Sequence, residues 1–133
     1  MTAGRAVLDT SVWIAAESGR RIDVSGLPDE AAVSVITVAE LEAGVLAAKD
    51  VSARAARLAT VNGLSDIELL PIDAPVARMW ARMRVELAER GGRINVNDLW
   101  IAATAASLGL PVVTQDDDFR AVEGIAGLEI WRV

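Results

Sequence analysis

Arg5-Ala6-Val7-Leu8-Asp9-Thr10-Ser11-Val12-Trp13-Ile14 is the stretch that decides the fold class. A short, uninterrupted apolar run stops at an acidic residue, and two hydroxyl residues lead into a second segment with helical patterning. Strands buried on both faces read as continuous apolar runs, and aspartate marks a helix start well. The same alternation recurs along the chain. Apolar strands are predicted at Ala6–Leu8, Ala32–Ile36, Glu68–Ile72, Val112–Thr114 and Leu128–Trp131. Helical patterns are predicted at Thr10–Glu17, Val38–Ala48, Ser52–Asn62, Pro75–Glu89 and Asp98–Leu108. Short apolar strands with helices between them indicate an α/β chain whose parallel sheet is covered on both faces.

The helix over Pro75–Glu89 has the clearest pattern. Pro75 suits a first turn, where its missing N–H has no partner to lose. Val76, Met79, Trp80, Met83 and Leu87 share one face. Arg78, Arg82, Glu86 and Arg90 make an i, i+4 row beside it, a solvated face in which Glu86 can pair to either side. Trp80 and Trp100 fit apolar helix faces as core residues, while Trp13, close to Asp9, is a candidate for lining a groove. Residues 19–29 form the loosest stretch, short enough for a surface connection.

With 133 residues, 53% hydrophobic and 24% charged, the chain is expected to form one domain over residues 1–133, and disorder is excluded. There is no cysteine, histidine or tyrosine. Disulfides, thiolate metal sites, cysteine nucleophiles and the commonest general base are thereby removed. The net charge of −6 and pI of about 4.6 exclude a global positive field for nucleic acid, though not a local basic stripe. The uncharged stretch Leu99–Gln115 is broken by Thr104, Ser107, Gly109 and Pro111, and reads as a buried helix and strand, not a membrane span. Asp9 and Glu17 interrupt any apolar signal core, so a soluble cytoplasmic protein is expected.

The chemistry must then rest on carboxylates and hydroxyls. Asp9 follows the first strand, Glu40 follows the second in Thr37-Val38-Ala39-Glu40, Asp98 opens the last helix after Asn97, and Asp116, Asp117 and Asp118 follow the fourth strand. Each has an ordinary structural explanation: Asp9 as an N-cap, Thr37-x-x-Glu40 as a capping box, Asn97 as an N-cap with Asp98 in the first turn, and the aspartate run as a turn. Together they point elsewhere, because strand ends and helix starts share the ligand-binding edge of an open parallel sheet. Two bare carboxylates about 4 Å apart repel by roughly 4 kcal/mol at an effective dielectric of about 20. A converging cluster therefore holds protons or a cation, and helix N-termini favour the ionised form. Oxygen-only ligands suit Mg²⁺ or Mn²⁺, a usual arrangement for phosphate chemistry. Thr10, Ser11 and Thr114 stand where they can orient a water or a carboxylate.

Asp9-Thr10-Ser11, then Glu40 in Thr-x-x-Glu, then Asp98-x-x-Ile-Ala-Ala, then Thr114-x-Asp116-x-Asp118-Phe119 resemble the PIN domain, and specifically the VapC ribonuclease toxins, from about Val7 to Trp131. The resemblance implies a three-layer α/β/α domain with a central, mainly parallel sheet and the acidic residues gathered at its C-terminal edge. It implies an Mg²⁺- or Mn²⁺-dependent endoribonuclease, a homodimer, and neutralisation by a cognate VapB-type antitoxin. By position Asp9 and Asp98 match the principal metal ligands, and Glu40 and Asp116 the other two acidic residues. Asp118 and Thr114 are further candidates, and Asp116 is preferred at the fourth position because it directly follows Thr114-Gln115. The expected mechanism is metal-assisted hydrolysis in which Glu40 orients or deprotonates water, leaving a 5′-phosphate and a 3′-hydroxyl. Arg20, Arg21, Arg78, Arg82, Arg84, Arg90, Arg93, Asn95 and Asn97 are the candidate RNA contacts.

Three other readings stand beside this one. A phosphoacceptor receiver needs a lysine near its last strand, and the only lysine is Lys49 on an early helix. An aspartyl-phosphate phosphatase needs Asp-x-Asp where Asp9-Thr10-Ser11 stands. A catalytically silent PIN-like partner-binding module is disfavoured by the intact acidic positions.

Overall fold

In the computed structural model, which describes residues 4–133, the predicted strands assemble into one five-stranded sheet. Its strands are β1 (Arg5–Leu8), β2 (Glu30–Ser34), β3 (Glu68–Leu70), β4 (Val112–Thr114) and β5 (Ile130–Arg132). The order is β3-β2-β1-β4-β5, and every pairing is parallel. Five α-helices connect or follow them: α1 (Thr10–Ser18), α2 (Val35–Ala47), α3 (Val51–Asn62), α4 (Ala74–Glu89) and α5 (Val96–Ser107). The chain builds outward from β1 to β3, then returns to lay β4 against the free side of β1. That reversal makes the β1/β4 junction a topological switch point, where a crevice opens outside the carboxyl ends.

Period-two alternation divides the strand side chains between two apolar clusters. Val7, Ala32 and Val112 join one cluster with Val76, Met83 and Leu87 of α4, Leu99 and Ile101 of α5, and Phe119. Ala6, Leu8 and Val113 join the other with Val12 of α1, and Trp13 and Trp131 pack against it. The sheet is thus the middle of three layers, an α/β/α sandwich. The predicted apolar face of α4 is borne out: Val76, Met83 and Leu87 are buried, while Met79 and Trp80 pack at the core's margin. Trp80 stacks on Trp100 with ring centroids 4.9 Å apart, and both, expected in the core, are partly buried against its edge. Asp73 accepts a hydrogen bond from the Val76 N–H and caps α4 ahead of Pro75.

One boundary differs in a way that matters. The second strand was expected over Ala32–Ile36 and its helix from Val38, but the strand ends at Ser34 and α2 begins at Val35. Val35 and Ile36 are β-branched and read as strand by propensity. Ser34 overrides this: its hydroxyl accepts the Ile36 N–H and starts the helix three residues early. Likewise Asn95, not Asn97, caps α5, accepting from the Asn97 N–H. Residues 19–29 contain one short 3₁₀ turn, Val24–Gly26, capped by Asp23.

Candidate active site

Asp9 leaves β1 at the switch point and is buried, with 2% of its surface exposed. It holds the N-cap position of α1, yet its side chain makes no capping bond. Instead Ser11 Oγ donates to Asp9 Oδ1 at 2.6 Å and Thr114 Oγ1 donates to Asp9 Oδ2 at 3.0 Å. Each hydroxyl has one proton and gives it to this carboxylate. As acceptors, Ser11 Oγ takes the Gln115 N–H and Thr114 Oγ1 the Asp116 N–H, both at 3.0 Å. Two hydroxyls thus register the loop after β4 against the residue after β1. The Gln115 side chain extends the tie, donating to the carbonyls of Arg21 (2.8 Å) and Val133 (3.1 Å).

Glu40 reaches this edge from α2, but not as a capping-box residue. Because α2 begins at Val35, Thr37 lies in the first turn and Glu40 in the second, and Ser34 performs the capping. Thr10 Oγ1 donates to Glu40 Oε1 at 2.7 Å and lies 3.0 Å from the buried Thr37 Oγ1. One carboxylate oxygen is therefore held by α1, while Oε2 has no hydrogen-bond partner among the described residues.

Asp98 stands in the first turn of α5, as expected. Partial burial, and after it the charges of Asp9, Glu40, Asp118 and Asp116, push its pKa up to about 7. Burial is also the main cause that raises Asp9 to about 6; the Ser11 and Thr114 hydroxyls pull it down and the Asp116 charge pushes it up. Four elements distant in sequence therefore bring five carboxylates within electrostatic reach of one another. None of the five forms a salt bridge among the described residues.

The aspartate run separates by partner. Asp117 turns outward, taking Arg132 at 2.7 Å and Arg120 at 3.6 Å. Asp116 and Asp118 make no such pair, and their charges fall on Asp98. Asp117 thus leaves the contest for the fourth acidic position, while Asp116 and Asp118 both remain.

The donor set suits a hard divalent cation: oxygen only, mutually repelling, without a basic side chain to neutralise it. Among the described residues no three carboxylates already close into a ready-made cation shell.

None of the arginine candidates forms an ion pair with a carboxylate of this cluster among the described residues. Arg82 pairs with Glu86 at 2.9 Å, Arg90 donates to the carbonyls of Ala121 and Glu123, and Arg84 lies over the Trp80 ring. Arg20, Arg21, Arg78 and Arg93 are exposed and make no ion pair among the described residues. Trp13 lines a cavity with Glu17, Ala56 and Thr60 on the α1–α3 side. Sequence reasoning missed the cross-links made by Gln115, which carry no local signal. It also missed the α1–Thr37 contact, whose spacing to Glu40 imitates a capping box.

A family model for the PIN domain matches residues 6–125. The chain is 58% identical over 132 residues to Ribonuclease VapC5 of Mycobacterium tuberculosis, covering 99% of this chain and 98% of that protein. It is 38% identical over 130 residues to Ribonuclease VapC4 of the same organism, covering 98% and 100%. Its structure is similar, with a TM-score of 0.92 and 55% identity, to the crystal structure of VapBC-5, a member of the VapBC family of toxin–antitoxin systems from M. tuberculosis; the match covers 98% of this chain and 99% of that one.

Proposed function

The chain belongs to the PIN-domain family, in its VapC branch, and on that premise we propose that it is a metal-dependent endoribonuclease, the toxin of a type II toxin–antitoxin pair. The observation that carries this reading is the gathering of Asp9, Glu40, Asp98, Asp116 and Asp118 at one sheet edge with no basic side chain paired to any of them. Uncompensated negative charge repels a polyanion, so it serves RNA chemistry only with a cation between protein and phosphate.

Asp9 and Asp98 would hold Mg²⁺ or Mn²⁺, with Asp116 completing the site directly or through water and Asp118 as the alternative. A bound divalent ion supplies Lewis-acid stabilisation of charge on the phosphate and leaving oxygens. Ser11 and Thr114 fix the Asp9 carboxylate from both sides, leaving each oxygen a lone pair for a ligand. Glu40, with Oε1 held by Thr10, presents Oε2 to the attacking water and takes its proton. Water oxygen then bonds to phosphorus as the bond to the 3′-oxygen breaks, and the departing 3′-oxygen takes a proton from solvent, giving a 5′-phosphate and a 3′-hydroxyl. No histidine is available to assist attack by the ribose 2′-hydroxyl.

The partners proposed are an RNA substrate, a cognate VapB-type antitoxin and a second copy of the chain. Among the described residues no helix is long and apolar enough to cross a membrane. The test is cleavage of single-stranded RNA by the purified chain with Mg²⁺ or Mn²⁺, with EDTA, and with the ion restored. Cleavage that stops with chelator and returns with the ion is expected; cleavage indifferent to EDTA would overturn the metal assignment, and no cleavage at all the enzymatic one. Expression without antitoxin should slow bacterial growth, and Asp9→Ala should relieve it.

A further inference from the structure

Immediately beside the acidic cluster, on the α1–α2–α3 side, lies a cavity of about 260 Å³ lined by Ile14, Glu17, Glu40, Leu41, Gly44 and Arg57. Glu40 belongs to both, so whatever fills this cavity sits next to the reacting phosphate. Its walls are of two kinds. Ile14 and Leu41 are apolar, while Glu17 and Arg57 bring opposite charges from α1 and α3. These two do not pair with each other, nor Arg57 with Glu40, within salt-bridge distance. Each is instead held by one other bond: Thr60 Oγ1 donates to Glu17 Oε1 at 2.8 Å, and Arg57 Nη1 donates to the Gly44 carbonyl at 2.7 Å. Glu17 keeps an oxygen and Arg57 most of its five N–H donors unused among the described residues.

Resting on the ribonuclease reading, we infer that this cavity seats one unpaired guanine of the RNA strand, read by Arg57 and Glu17. Single-stranded RNA is recognised by splaying bases out and bonding their edges. A pocket with apolar walls, a guanidinium and a carboxylate asks for a flat ring with acceptors on one edge and adjacent N–H donors on another. Guanine offers O6 and N7 to the guanidinium, the commonest specific arginine contact, and N1–H with the 2-amino group to the carboxylate. Adenine places its amino group beside N7 and meets the guanidinium with a donor. A protein segment docked here is the competing occupant. The cavity's continuity with Glu40, and a lone cation in an otherwise acidic cleft, favour the nucleotide.

The experiment uses the full chain with Mg²⁺ and short single-stranded RNAs that differ at one position near the cut, carrying guanine, inosine (which lacks the 2-amino group) or adenine. Wild type should cut the guanine strand at least roughly tenfold better than the adenine strand, the discrimination a bidentate base contact gives. Arg57→Gln, which removes the charged fork, should erase that preference, the two strands then being cut at similar rates. Glu17→Gln should erase the guanine-over-inosine difference, and thermal melting shows whether each variant is folded. RNA cleavage without base preference, or preference retained in both variants, overturns the inference while the ribonuclease reading stands. Variants that weaken only capture of a purified VapB-type antitoxin also overturn it, in favour of a protein contact. A wild-type chain that cuts no RNA fails both.

Discussion

The two ends of the sheet treat charge in opposite ways. At the amino-terminal end Arg5 of β1 and Glu68 of β3 meet across the neck of β2, with Arg5 Nε donating to Glu68 Oε1 at 2.8 Å. Both are substantially exposed, so their pairing is one of solvated partners. At the carboxyl end Asp9 and Asp98 are drawn from water, and what surrounds Asp98 is more negative charge. The tripeptide at 116–118 is exposed throughout, yet there too pairing is uneven: Asp117 faces Arg132 and Arg120, while its neighbours form no ion pair among the described residues. A fold that pairs an exposed aspartate and leaves buried ones unpaired holds free energy at the unpaired end, available to whatever binds there.

The contrast breaks most sharply at Asp98. Asp98→Asn removes a carboxylate that four others repel, so RNA cleavage should fall at least a hundredfold while thermal stability rises. A folded variant with wild-type cleavage would remove Asp98 from the proposed site, and a lower melting temperature would contradict the electrostatic picture. Thr114→Val comes next. It deletes the donor to the buried Asp9 Oδ2 and the acceptor of the part-buried Asp116 N–H, and leaving the carboxylate short of a donor costs about 1–3 kcal/mol. Cleavage should drop roughly tenfold through kcat, and Thr114→Ser, which restores both bonds, should recover most of it; equal activity of the Val and Ser forms would show that the hydroxyl positions nothing.

How much of this was legible beforehand depended on where each residue's partner lies. Asp9, Asp98 and Asp116 were readable because strand ends and helix starts share an edge in a parallel sheet, a rule of topology. Glu40 was placed at the right edge for the wrong reason. The β-branched Val35-Ile36 pair looked extended, and the Ser34 hydroxyl on the Ile36 amide turns it into helix. What holds Glu40, the hydroxyl of Thr10, lies thirty residues away and leaves no local pattern. Gln115 is less visible still, because its partners at Arg21 and Val133 are main-chain carbonyls, which any residue supplies. Setting Asp117 apart from its two neighbours needed Arg132, whose side chain reaches Asp117 only once β5 lies beside β4.

A smaller effect follows from pH. Asp9 near 6 and Asp98 near 7 both lie above the ordinary 3.8, so between those values the folded chain carries more protons than the unfolded one. Stability should therefore fall as pH rises through this window; the penalty is absent below 3.8 and complete above about 7. Asp9 contributes of order 3 kcal/mol across the whole window, and the partly solvated Asp98 less than its shift suggests. Melting of the metal-free chain should be several degrees lower at pH 7.5 than at pH 5.5, a range of roughly the size such free energies give. Millimolar Mg²⁺ should recover much of the loss at the higher pH and little at the lower. A melting temperature that rises between the two pH values without metal would reverse the sign of the whole account.

The smallest effect belongs to the opposite end. Glu68→Gln keeps the shape of the contact with Arg5 and removes its charge. Because both partners are half in water, Coulomb attraction is screened and offset by the entropy of holding two long side chains, so the loss should stay below about 1 kcal/mol. The melting shift should be small at low salt and vanish at high salt. RNA cleavage should not change, since the pair sits at the far ends of its strands from Asp9 and Thr114. The comparison gains force from the pairing of variants: removing one carboxylate from the solvated end slightly weakens the fold, and removing one from the buried end strengthens it. If Glu68→Gln proved as consequential for stability as Asp98→Asn, and of the same sign, then removal from water and like-charge crowding would not be what separates the two ends.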